Sequence, residues 1–310
     1  AVYPDLVWYT AHFWSETLFL VLVWWGFERL VAADAERTRA DALAAGLLFG
    51  LAILTRETAL YFVPIAALWL GARPGRRRLA GAFALAAALV VVPWTARNWM
   101  VWHAFVPVST AGGLNLWQGN APMTREEVYA EYARVPGRVA KYEYARRKGI
   151  EAIRARQPAW LFEKLKAEMP RFWEADSLAL AQIDREAYGP VTPEARRVAG
   201  FLFVAPYLGL LLPFAWGASV APPGRVTGLL LGFLVYYNLL HVVTHGFARY
   251  RVPIMPVVLA FAAYALAEAP WRGVPARRLA FAALVAVVLG LSIAPSLLEA
   301  LPGEAAAPAS

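Results

Sequence analysis

Six ionisable side chains stand within or at the ends of long apolar runs, where a charge is costly: Glu16, Arg56, Arg97, His245, Arg249 and Arg251. Arginine at the edge of an apolar layer suits a phosphate or pyrophosphate, because its planar fork binds oxyanions through paired hydrogen bonds and never loses its charge. A carboxylate such as Glu16 could take the proton of a reacting hydroxyl. Asn98, Asn115, Gln118 and Asn120 follow close behind Arg97 and offer donors and acceptors to a hydroxyl-rich molecule. The Gly112-Gly113 pair among them permits close approach of a ligand and argues against helix core. Plainer readings stand beside these. Glu16, in Ser15-Glu16-Thr17, also fits a helix first turn, where a carboxylate meets the positive end of the dipole. Bulk anionic lipid could satisfy Arg249 and Arg251, and Pro93 to Asn120 could be an ordinary interfacial loop.

Other chemistries find no residues to carry them. The chain has no cysteine, so thiolate nucleophiles, disulfides and Cys-ligated metals are excluded, and its four histidines make a His-rich metal site improbable. There is no P-loop, zinc signature or nucleophile elbow. No metal ligands are assigned and no cofactor is required, while a divalent cation remains open. The formal charge of +8 would suggest nucleic acid in a soluble domain. Here it reflects arginines in short loops and a surface that meets anionic lipid, so membrane lipid is a partner and nucleic acid is not.

The elements that must position these groups are apolar helices. Hydrophobic residues make up 60% of the chain and charged ones 17%, with a mean hydropathy of +0.47, which places it outside soluble composition. The expected fold is all-α, a polytopic integral membrane protein with an extracytoplasmic helical domain. Crossing a bilayer takes roughly 20 apolar residues. Spans are expected at about 13–31, 79–96, 199–216, 227–244, 252–268 and 279–296. Residues 42–72 are too long for one crossing, about 45 Å at 1.5 Å per residue, and too short for two comfortable ones. They read as a tight helical hairpin carrying Arg56 and Glu57 near its tip.

Short loops rich in Lys and Arg stay cytoplasmic. The loops 33–41, 73–78, the turn at Arg225 and 272–278, with Arg272, Arg277 and Arg278, then share one side. Residues 93–196, 1–12 and 245–251 fall on the other. The expected domains are 1–97 (membrane helices with the hairpin), 98–196 (an outer domain), 197–297 (membrane helices) and a polar tail, 298–310. This assignment delivers Glu16, Arg56, Arg97, His245, Arg249 and Arg251 to the outer face of the cytoplasmic membrane. In the outer segment, 124–156 reads as helix broken at Pro136-Gly137. Pro158 reads as the first turn of the next helix, which spaces Leu161, Leu165, Met169 and Phe172 on one face. That face suits a membrane surface or packing within its own domain.

The elements SETLF (15–19), GLLFGLAILTRETAL (46–60), PWTARNW (93–99), STAGGLNLWQGNAP (109–122), QPAWLFEKLKAEMPRFW (157–173) and ARYRVPIMP (248–256) occur in this order. Together they resemble the membrane glycosyltransferases of family 39 with the GT-C fold, which include protein O-mannosyltransferases and lipid A aminoarabinose transferases. The resemblance implies transfer of a sugar from a polyprenyl-phosphate donor to a glycan, lipid or protein acceptor outside the cytoplasm, with inversion at the anomeric carbon. It makes Arg56, Arg249 and Arg251 phosphate-side candidates and lines the sugar or acceptor pocket with Asn115, Gln118 and Asn120. The family's acidic residue in the first outer loop has no match, and the chain opens on Ala1, so an N-terminal portion carrying the main base is expected upstream. The competing class is a non-catalytic scaffold or transporter sharing the fold. A transporter would show internal repeats and mid-membrane polar groups rather than a polar outer face.

Overall fold

The computed structural model describes residues 3–270 and 273–300. Arg272 and the tail beyond residue 300 lie outside these residues. The described chain is all-helical, with α1 (Pro4–Thr10), α2 (Ser15–Glu36), α3 (Arg39–Thr55), α4 (Phe62–Gly71), α5 (Arg77–Trp102), α6 (Ala111–Asn120) and α7 (Arg125–Arg134). Then follow α8 (Arg138–Ala155), α9 (Trp160–Trp173), α10 (Leu178–Asp184), α11 (Pro193–Val220), α12 (Arg225–Val243), α13 (Met255–Ala267) and α14 (Ala276–Ala300). Two compact units form, one from 13–162 with 243–245, the other from the described parts of 1–12, 163–242 and 246–310.

Five helices are long and apolar enough to cross a membrane: Arg77–Trp102, Pro193–Val220, Arg225–Val243, Ala248–Ala267 and Ala276–Pro295. They coincide with five of the six expected spans. The sixth, α2, does not qualify, because it carries Glu28, Arg29 and Asp34 along its second half. Its charges are spent locally. Arg29 pairs with Glu28 and Asp41, and the carbonyl of Asp34, one of the helix's last four acceptors, takes bonds from Arg73 and from the buried Arg76. The expected polar loop 33–41 thereby shrinks to Arg37 and Thr38. Arg37 adopts a left-handed conformation (φ 63°) and Thr38 caps α3 by accepting from the Asp41 amide.

In the first unit the chain reverses at Arg56–Tyr61, so that α3 and α5 run parallel and in contact, and α4 returns antiparallel along α5. Gly46 and Gly50 let α3 and α5 touch: a Cβ at Gly46 would lie 2.3 Å from the Phe83 carbonyl, and one at Gly50 2.7 Å from Val90. Four buried rings, Phe27, Phe49, Phe62 and Phe83, then join α2, α3, α4 and α5, with Phe49 edge-on to Phe27 and to Phe83 at 5.4 and 5.6 Å.

Three local expectations are corrected. The span expected to end near residue 96 runs on, since α5 continues to Trp102. The chain beyond folds back along the helix instead, held as Trp94 donates to Val108, Thr95 to Pro107, and Asn98 to Val106 and Val108. The Gly112-Gly113 pair is helical, within α6, because α8 crosses so closely that a Cβ at Gly113 would meet the Tyr142 carbonyl at 2.6 Å. Pro158 precedes α9 by two residues rather than opening it.

Replacing Gly46 by Ala is expected to cost about 1–3 kcal/mol through overpacking. Gly81→Ala on α5, where an added methyl meets nothing within 4 Å, should be neutral or stabilising. Thermal unfolding of the two purified variants checks the pair.

Candidate functional site

Within the first unit, Glu16 and Arg56 meet. The Glu16 carboxylate is 1% exposed and pairs with the Arg56 guanidinium at 2.9 Å, while Arg56 also donates to Ser15 Oγ at 3.1 Å. A buried carboxylate and a guanidinium in contact each offset the other's charge. Glu16 is thus placed as a structural acid and Arg56 as its counter-ion. Glu57 accepts from Ser109 Oγ at 3.1 Å and lies against Gly112 at the start of α6.

Arg97 is exposed, donates to Asn98 Oδ1 and lies over the Trp94 and Trp102 rings at 5.3 and 5.6 Å. Asn98 does not line a pocket, since it is fully buried and its amide spans two backbone carbonyls. Asn120 is likewise a fastener. It donates to Leu116 and Val243 and accepts from Arg156 and the Trp160 indole, which uses its donors and its acceptor together. Beside it, Gly119 passes Thr244 so closely that a Cβ would fall 1.6 Å from that carbonyl. Asn115 and Gln118 are half-buried on α6, and the buried His245 approaches the Asn115 carbonyl at 3.4 Å.

In the second unit, Arg251 is 2% exposed. It donates to the backbone carbonyls of Phe172, Glu174 and Asp176 and lies 3.9 Å over the Tyr207 ring. A guanidinium so engaged is a clamp on the chain leaving α9, not an open phosphate fork. Arg249, two residues earlier, is half-buried and lines a small pocket with Tyr3, Asp5, Tyr9, Asp176, Ser177, Arg251 and Met255. Its free space holds little more than one water or one hydroxyl group.

This pocket holds the groups that the sequence reading missed. Asp5 is 7% exposed and accepts from Ser177 Oγ at 2.6 Å. Ser177 also caps α10, and Asp176 accepts from the Ser177 amide at 2.7 Å. Burial pushes the carboxyls of Asp5, Asp176 and Glu174 up, against the opposing pull of Arg251 and of their hydrogen bonds. The Tyr3 hydroxyl is buried beside Asp5, and its phenol is pushed up by burial and then by the Asp5 charge. The signal for Asp5 was the YPD start of α1, where an acid follows a first-turn proline. It reads there as ordinary N-terminal chemistry, and only the pairing with Ser177, 172 residues on, gives it a pocket.

Among the described residues no group of three or more His, Asp or Glu could hold a metal ion. Arrangement and electrostatics suit a neutral hydroxyl brought to a carboxylate of raised proton affinity, with Arg249 as a cation at the rim.

Acids whose folded pKa lies above the unfolded value bind more protons in the fold, so their contribution falls as pH rises from the ordinary carboxylate value, about 4, through their raised values. The thermal midpoint should decline across that window, and Asp176→Asn should reduce the decline and raise the midpoint at neutral pH. A pH-scanned melting series on wild type and variant reads both. Against known proteins, no family model, curated sequence or solved structure matches the chain.

Proposed function

We propose that the chain is a membrane glycosyltransferase that moves a sugar from a polyprenyl-phosphate donor to a hydroxyl acceptor, with the Asp5 pocket as its reacting end. The observation that carries this reading is a buried carboxylate, raised in proton affinity, sharing a pocket with arginine. The five apolar helices supply the setting for a lipid-linked donor. In the reaction the acceptor oxygen attacks the anomeric carbon, its proton passes to Asp5, and the bond from that carbon to the phosphate oxygen breaks. The lipid phosphate departs with the bonding pair, and Arg249 offsets its charge. Displacement in line inverts the anomeric centre. Arg251 acts at one remove, by fixing the carbonyls of 172–176 that shape the pocket.

By the Lys and Arg count of the short loops, the protein sits in the cytoplasmic membrane with this pocket outside the cytoplasm. The ordered elements from SETLF to ARYRVPIMP support the family 39 reading of donor type. A second reading, a non-catalytic scaffold, draws support from Arg56, Asn98, Asn120 and Arg251, whose hydrogen bonds are all committed to the fold.

In reconstituted vesicles carrying a polyprenyl-phosphate sugar, Asp5→Asn should lower transfer by about 100-fold or more while the protein stays folded. Unchanged transfer would favour the scaffold. Arg249→Gln should weaken donor binding, whereas Arg251→Gln should lower the melting temperature first. Topology has its own check, since a reporter fused after Arg78 should read cytoplasmic and one after Asn120 outside.

A further inference from the structure

Helix α9 carries one continuous apolar stripe that protein covers over only half its length. At about 100° per residue, Leu161, Phe162, Leu165, Met169, Phe172 and Trp173 fall within an arc of about 120°. In the second half of the helix that stripe is buried. Phe172 and Trp173 are 1% and 2% exposed, with Trp173 donating to Asn238 and its carbonyl accepting from Tyr207. In the first half it is bare, with Leu161 47%, Phe162 74% and Leu165 37% exposed. Over the same turns the protein buries charge instead. Lys164 and Glu168 pair at 2.8 Å, nearly inaccessible, and Glu168 also accepts from the Gly246 amide at 2.8 Å.

This is the reverse of the polarity that water imposes, since exposing three large apolar side chains while burying an ion pair is costly in an aqueous setting. It is favourable where the outward face meets hydrocarbon. The position of the helix names the cover. Trp173 is fastened at Asn238, five residues before the end of α12, about 7.5 Å along that helix. On a helix of 19 residues, about 28 Å long, that level lies inside the apolar stretch and within about one and a half turns of its headgroup end. Exposed Lys166 and Arg171 flank the stripe and complement anionic headgroups.

We propose that the first half of α9 docks on the bilayer surface, with Leu161, Phe162 and Leu165 in the headgroup–acyl boundary and Glu163 and Lys166 in water. The proposal rests on the membrane reading of the apolar helices. Lipid contact would orient α9, the helix that ends at Trp173 just before the segment held by Arg251.

The absence of cysteine makes the test direct. Single variants Phe162→Cys, Leu165→Cys, Glu163→Cys and Lys166→Cys are labelled with a nitroxide in the full chain, reconstituted in vesicles of phosphatidylcholine and phosphatidylglycerol. Leu212→Cys on α11, 69% exposed, serves as the reference for a crossing helix. Collision with oxygen and with a water-soluble nickel chelate is then measured. Several-fold oxygen preference at 162 and 165, with nickel preference at 163 and 166, is the expected result. Nickel access at all four α9 positions while Leu212→Cys favours oxygen overturns the docking alone. Immobile labels at 162 and 165 that neither reagent reaches also overturn it, since a second copy or another protein then covers the stripe. Nickel access at Leu212→Cys as well overturns the membrane reading beneath it.

Discussion

A buried guanidinium that spends itself on backbone carbonyls is the constraint on which the second unit depends. Arg251 gathers the carbonyls of Phe172, Glu174 and Asp176 at one point, and its charge is the counterweight that lets three carboxyls lie close by without an ion pair of their own. Had the guanidinium bonded a carboxylate instead, Asp5 or Asp176 would be held firmly ionised and its proton affinity would drop. Bonding to neutral carbonyls leaves the charge to act at a distance. The acids then feel burial more than attraction, and the pocket keeps carboxyls of raised proton affinity.

In the first unit the same economy takes another form. Polar groups that would be expensive among apolar helices are closed into pairs: Glu16 with Arg56 at one end of the bundle, Asp34 with Arg73 and Arg76 at the other. Between these ends the contact is made by rings and by the two glycines that bring α3 against α5. A pair of this kind adds little net stability over an apolar equivalent, but leaving one member alone is severely destabilising. The pairs therefore specify register more than they hold the bundle together.

Apolar runs with flanking arginines were enough to read the five long helices, because length and hydropathy are local properties. The break at Arg56–Tyr61 was legible for a similar reason, since a stretch of 31 residues could neither cross once nor twice. Partner choice was not legible. Asn98, Asn120 and Arg251 carry the residue types of a ligand site, yet each is consumed by carbonyls that lie nearby only after folding. The helical state of Gly112-Gly113 was hidden too, because what selects glycine there is the backbone of α8, about 30 residues away in sequence. Asp5 escaped notice because its partner Ser177 stands on a segment that reads as featureless. Sequence displays which side chains are capable of chemistry, and tertiary contacts decide which are already occupied.

The Lys164–Glu168 pair carries a consequence for the order in which the protein can be built. Glu168 is completed by the amide of Gly246, 78 residues further on, so while the ribosome is still adding α11 and α12 the pair has no lid. Closure comes only when the chain has passed α12, with Gly246 and then the 248–254 turn delivering Arg251 to the same place. A chain that stops before residue 246 therefore lacks the amide that completes Glu168, and the pair is left one hydrogen bond short.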